Sequence, residues 1–122
     1  MSTRPKDAEP SAALSPATFH VLLALAGEDL HGYAILKEVA RQTGGSVGLS
    51  TGTLYGILKR LLADGWIVER RARPAAHEDD ERRRYYRLTP QGREVAAVEA
   101  ERLDRLVTQA RARRLLGKLR TA

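Results

Sequence analysis

Cysteine is absent from the 122-residue chain. That rules out a disulfide framework and thiolate metal ligation, and it points to a reducing compartment. Aromatic residues make up only 5%, with a single Phe and a single Trp, so a core has to rest on Leu, Ile, Val and Ala. No apolar run approaches the roughly 20 residues of a membrane-spanning helix. Residues 1–10 carry no apolar stretch of signal-peptide type, so a cytoplasmic protein that does not enter a membrane is expected. Catalytic parts are missing as well. His20, His31 and His77 are scattered, and no Ser-His-Asp order, Gly-rich phosphate loop or Cys nucleophile is apparent. His77-Glu78-Asp79-Asp80 has metal-ligating residue types, but a polar loop of carboxylates is ordinarily just solvated. Neither enzyme activity, nor a metal, nor a cofactor is expected.

What is present is a globular composition, 43% hydrophobic and 30% charged, of a length that fits one domain. Lys and Arg outnumber Asp and Glu by 21 to 15, a net charge of +6. Such an excess on a small domain favours a polyanionic partner, most often nucleic acid.

Residues 1–13 mix Ser, Pro, Ala and charges without period and read as a flexible arm. Ser15-Pro16 is an N-cap followed by Pro at the first helical position; Phe19, Leu22, Leu23 and Ala26 then follow at helical spacing up to Gly27. A second helix starts near His31-Gly32, with Tyr33, Leu36, Val39 and Ala40 as its buried stripe and Ile35 alongside, and ends at Thr43-Gly44-Gly45. Val47 to Leu49 is expected to be a short extended piece. Ser50 caps a third helix in which Leu54, Ile57, Leu58, Leu61 and Leu62 form a full amphipathic pattern, stopped by Gly65. Trp66-Ile67-Val68 and Arg84 to Leu88 are β-prone, and the polar loop between them contains Pro74 and the acidic run Glu78 to Glu81. Thr89-Pro90 opens a long helix running to about Leu116.

These elements predict a mainly α chain with a small β hairpin: a winged helix-turn-helix domain over residues 14–89, a long C-terminal helix over 90–117 and a basic tail at 118–122. Val95, Val98, Leu103, Leu106 and Ala110 cluster on one side of the last helix, interrupted by Glu99 and Arg102. A domain this small cannot cover that face, so a homodimer is expected, with Phe19 and Leu22 of the first helix joining the interface.

The non-apolar face of the third helix carries Ser50, Thr51, Thr53, Tyr55, Lys59 and Arg60. Small hydroxyl residues let a helix N-terminus come close to a nucleic-acid backbone, and Ser and Thr also reach base edges. Gly52 and Gly56 lie inside this helix, where Gly costs about 1 kcal/mol relative to Ala; close approach to DNA accounts for that cost. The hairpin carries Arg82, Arg83, Arg84 and Arg87 around Tyr85-Tyr86, an arrangement suited to phosphate or minor-groove contact. Arg83 and Arg84, at the strand base, are the favoured contacts, because the acidic run beside the tip can neutralise its arginines.

The chain resembles the PadR-like transcriptional regulators from about Leu14 to Leu116. The matching segments are His31-Gly32-Tyr33-Ala34-Ile35, Leu49-Ser50-Thr51-Gly52-Thr53-Leu54-Tyr55, Leu61 to Ile67, and Arg84-Tyr85-Tyr86-Arg87-Leu88-Thr89 with Gly92-Arg93. A single C-terminal helix is similar to the short branch of that family. The resemblance implies a homodimer in which the last helix packs on the partner's first and last helices. It also implies that Tyr55 and its neighbours meet the backbone and major groove of double-stranded DNA. Some short members bind flat aromatic compounds through a Trp of the last helix. The only Trp here, Trp66, follows the third helix and is expected to pack in the core or against the hairpin. A small-molecule effector is left open. A MarR-like winged helix is the alternative, although its dimer is normally built from helices at both ends of the chain. A further alternative is a protein- or membrane-binding adaptor, suggested by the basic, leucine-containing C-terminus.

Overall fold

The computed structural model describes residues 14–71 and 84–117. The expected arm at 1–13, the expected polar loop with His77 and Glu78 to Glu81, the arginines Arg82 and Arg83, and the tail at 118–122 lie outside the described residues.

Helix α1, Pro16–Gly27, starts where Ser15 Oγ accepts the Thr18 backbone N–H at 3.1 Å. It buries Val21, Leu22, Ala24 and Leu25, so the expected stripe is shifted and Leu23 is exposed. Strand β1, Leu30–His31, leads directly into helix α2, Gly32–Thr43. This strand replaces the extended piece expected at Val47 to Leu49, where no strand forms. Leu30 and His31 find a ladder partner on a neighbouring strand, whereas Val47 and Leu49 pack, partly buried, on the core. Helix α2 is capped by His31, whose Nδ1 accepts the Ala34 N–H at 3.2 Å. It is stopped by Gly44 at φ 60°, a left-handed conformation that favours glycine. Its inward ridge is Gly32, Ile35 and Val39. Tyr33 and Ala40, expected on the buried stripe, are exposed.

Helix α3, Thr51–Asp64, follows the sequence reading closely. Ser50 caps it, Leu54, Leu58 and Leu61 are buried, and Gly65 ends it at φ 78°. Strands β2, Ile67–Arg71, and β3, Arg84–Leu88, form the wing. The sheet order is β1-β3-β2, all antiparallel, with Tyr86 facing Leu30 on one side and Glu69 on the other. Alternation along β3 buries Tyr86 and Leu88 and leaves Arg84 and Arg87 out. Trp66 is buried beside Ile67 in the core cluster.

Helix α4, Pro90–Ala112, is capped by Thr89, which accepts the Gly92 N–H and donates to the Gly65 carbonyl at 2.8 Å. A Cβ at Gly92 would run into the Trp66 carbonyl and the Leu88 side chain, so only glycine lets α4 lie this close to the hairpin. Arg93 donates to the Ala26 carbonyl at the end of α1. The helix stops at Ala112, short of the expected Leu116. Arg114 takes φ 65°, and the Leu115 N–H returns to the Ala110 carbonyl at 2.8 Å, which is a Schellman closure with arginine at the left-handed position.

Candidate nucleic-acid interface

The structure arrays the expected α3 residues on one solvent-facing side. Thr51, Gly52, Thr53, Tyr55, Gly56, Lys59 and Arg60 are all exposed, because Leu54, Leu58 and Leu61 hold the opposite side in the core. Ser50 is committed to capping: its Oγ accepts the Thr53 N–H at 3.0 Å and donates to Thr53 Oγ1 at 2.9 Å. Neither Lys59 nor Arg60 enters an ion pair among the described residues. A Cβ built on Gly52 or Gly56 meets nothing within 4 Å. Tyr55 is steered sideways, its ring lying over the start of α2. A Cβ at Gly32 would stand 2.5 Å from the Tyr55 hydroxyl, so Gly32 is the residue that admits Tyr55 there.

The base of the wing is already partly neutralised. Arg84 donates to Glu69 at 3.1 Å. Asp29, just before β1, accepts from Arg70 at 3.2 Å and pairs with Arg87 at 3.0 Å. All three arginines are exposed, and such pairs contribute about 0–1 kcal/mol, which leaves them exchangeable for phosphate. The Tyr86 phenol is pushed above its ordinary range by burial, then by Glu69 and Tyr55, with Arg84 opposing. Tyr86 therefore stays neutral and serves packing.

The apolar side of α4 divides. Val95 packs against the core cluster. Leu103 and Ala110 are half-buried, while Val98, Leu106 and Val107 are exposed. Phe19 is half-buried, but Leu22 is 0% exposed. The expectation that Leu22 meets a partner is therefore corrected: it is consumed by the chain's own core, and Leu23 is the leucine that α1 presents. Glu99 is 3% exposed and takes both its hydrogen bonds from Arg102, at 3.0 and 2.6 Å. Those bonds hold its carboxyl below the usual range against the opposing effect of burial.

A three-helix unit with a wing and a long last helix is now matched by a family model described as "Transcriptional regulator PadR-like family", over residues 21–98. The chain belongs to this family. A relative named "Transcriptional regulator Rv3488", from Mycobacterium tuberculosis, is 36% identical over 80% of this chain and 80% of its own length. A protein of transposon TN4556 from Streptomyces fradiae is 42% identical over 70% of this chain, which spans only 22% of that protein. Among solved structures, a PadR family transcription regulator from Clostridium difficile superimposes with a TM-score of 0.69 at 24% identity, covering 84% of this chain and all of the other. Bacillus subtilis PadR in complex with operator DNA gives 0.56 at 22% identity over 66% and 44% of the two chains. Both confirm the winged-helix fold.

Sequence reading of this PadR-like chain missed Asp29 and Glu69 as partners of the wing arginines. It also missed the pairing of Lys37 with the exposed Tyr33, whose ring centre lies 5.5 Å from the lysine ammonium. Asp29 lies 41 and 58 residues from its partners, and nothing local links them. The Tyr33 and Lys37 spacing of one helical turn was the one available signal.

Proposed function

We propose that this PadR-like regulator binds a pseudo-palindromic operator in double-stranded DNA as a two-fold homodimer and represses transcription there. Helix α3 enters the major groove by its N-terminal half, and the wing grips the flanking backbone. The observation that carries this reading is the solvent face of α3, where two glycines open onto free space beside two cations without acidic partners among the described residues. The operator complex of the Bacillus protein supports it. Thr51 supplies a short contact to base edges. Lys59 and Arg60 neutralise phosphate, as does Arg83 from outside the described residues. Val98, Leu106 and Val107 of α4 and the half-buried Leu103, with Phe19 and Leu23, form the face between subunits.

Selection of duplexes from a random pool, followed by competition with single-base variants, tests the reading. Thr51→Ala should change base preference by on the order of 1–3 kcal/mol at one position of each half-site. Lys59→Ala and Arg83→Ala should weaken all sequences evenly and make the salt dependence shallower, by about 0.9 in log–log slope for each phosphate no longer neutralised. Equal affinity for selected and unselected duplexes, with no salt dependence, would remove the DNA reading.

A further inference from the structure

A groove of about 330 Å³ runs between the start of α1 and the side of α3. Its floor is apolar, made by Gly56, Ile57 and Leu61, and its polar lining includes Thr18, Thr53 and Arg60. The hydrogen bonds around it are lopsided. Ser15 and Ser50 each accept a backbone N–H and donate their own proton to the threonine three residues on, to Thr18 Oγ1 at 2.8 Å and to Thr53 Oγ1 at 2.9 Å. Each Ser–Thr pair of hydroxyls shares one O–H···O bond, which uses one of its two protons and leaves the other to give. The remaining proton of each pair has no acceptor among the described residues, and the same holds for the Arg60 guanidinium. No carboxylate lines the groove among the described residues. A lining with a cation and two spare hydroxyl donors, and no anion, suits a ligand that only accepts hydrogen bonds and is negatively charged.

We propose that the groove holds one phosphodiester of the bound DNA strand, so that Thr18, on α1, is a DNA contact of this protein together with Arg60. The inference rests on the DNA reading above. The occupant is chosen by continuity: Thr53, Gly56 and Arg60 line the groove and also belong to the solvent face of α3. When α3 lies in a major groove, the strand bordering it on the α1 side passes over this opening. A free phosphate ion shares the chemistry but has no reason to coincide with the recognition face. Thr18 then fixes how far α3 can rotate in the groove, because α1 and α3 are both held rigidly by the core residues Leu22, Leu25, Leu58 and Leu61.

The test uses the full chain and its selected duplex, with phosphates replaced one at a time by neutral methylphosphonate. For the wild type, one position in each half-site should cost about tenfold in affinity, the size expected for hydrogen bonds to a charged group. Thr18→Val and Arg60→Gln should each bind the unmodified duplex several-fold more weakly and lose nothing further at that position. Thr18→Ser, which restores the hydroxyl, should return the wild-type pattern. Arg60 is exposed, so Arg60→Gln carries the test even if Thr18→Val fails to fold. A wild-type pattern shared by both variants overturns the proposal while leaving DNA binding intact; a wild type that binds no duplex overturns both. In a second arm, inorganic phosphate is titrated against the free protein. Resonance shifts at Thr18 and Arg60 with an unchanged methylphosphonate pattern would assign the groove to a free anion and overturn the strand contact.

Discussion

Gly52, in the first turn, and Gly56, one turn further on, sit in a well-capped helix with empty space where a side chain would begin. Nothing among the described residues requires glycine at either place, and helix propensity opposes it by up to about 1 kcal/mol each. A surface that must come within van der Waals reach of another molecule does require it. Gly52→Ala and Gly56→Ala should therefore each raise folding stability by up to about 1 kcal/mol while weakening duplex binding. Thermal melts read beside fluorescence anisotropy would show the two effects with opposite sign. A variant that gains stability and binds DNA unchanged would show that the α3 backbone stays clear of the duplex at that position. These glycines were legible in the sequence because they break a local rule. Leu22 and Leu23 were not resolved: α1 is apolar through Val21-Leu22-Leu23-Ala24-Leu25, so helical spacing says nothing about which side faces inward.

Helix α4 combines an apolar stripe with a part-buried ion pair. Glu99 and Arg102 interrupt the stripe in the sequence. In the structure they satisfy each other across one turn, with Glu99 facing the body. The carboxyl of Glu99 is held below its ordinary value, so the folded state favours the charged form. Its contribution is complete above the unfolded carboxylate value and disappears as the pH falls through the lower, folded one. Melting temperature should accordingly hold steady near neutrality and drop below about pH 4. Glu99→Gln should lose less on acidification than the wild type does; equal losses in circular-dichroism melts would assign the acid sensitivity to other carboxylates. The pair itself was readable as an i, i+3 spacing, but its burial depended on how α4 lies across α1.

At 1.5 Å per residue the 23 residues of α4 extend about 34 Å, long enough to outrun so small a body. Its first half is covered by the core, with Val95 and Ala96 packed there. Along its second half Leu106 is 47% and Val107 40% exposed, on the side where Leu103 is already half-buried. The homodimer proposed above covers this face. Leu103→Glu combined with Leu106→Glu should yield monomeric or insoluble protein and abolish tight operator binding, since two half-sites are then no longer gripped together. Sedimentation velocity checks this directly. A wild-type chain sedimenting as a monomer at micromolar concentration would defeat the dimer.

Local rules determined most of the elements. The Ser15, Ser50 and Thr89 caps, the Gly44 and Gly65 stops, the leucine ladder of α3 and the alternation of β3 all rest on interactions within a few residues of one another, and such signals are written in order along the chain. The cationic, glycine-bearing face of α3 is legible for the same reason, as the complement of its leucines. Tertiary structure decided the rest. Strand β1 exists only because β3 offers it an edge, Asp29 finds Arg70 and Arg87 only once the sheet forms, and Tyr55 needs the gap at Gly32. The groove that joins Thr18 to Arg60 likewise appears only when α1 is laid beside α3. Each of these depends on distances between segments far apart in sequence, and those distances are set by packing of the shared core.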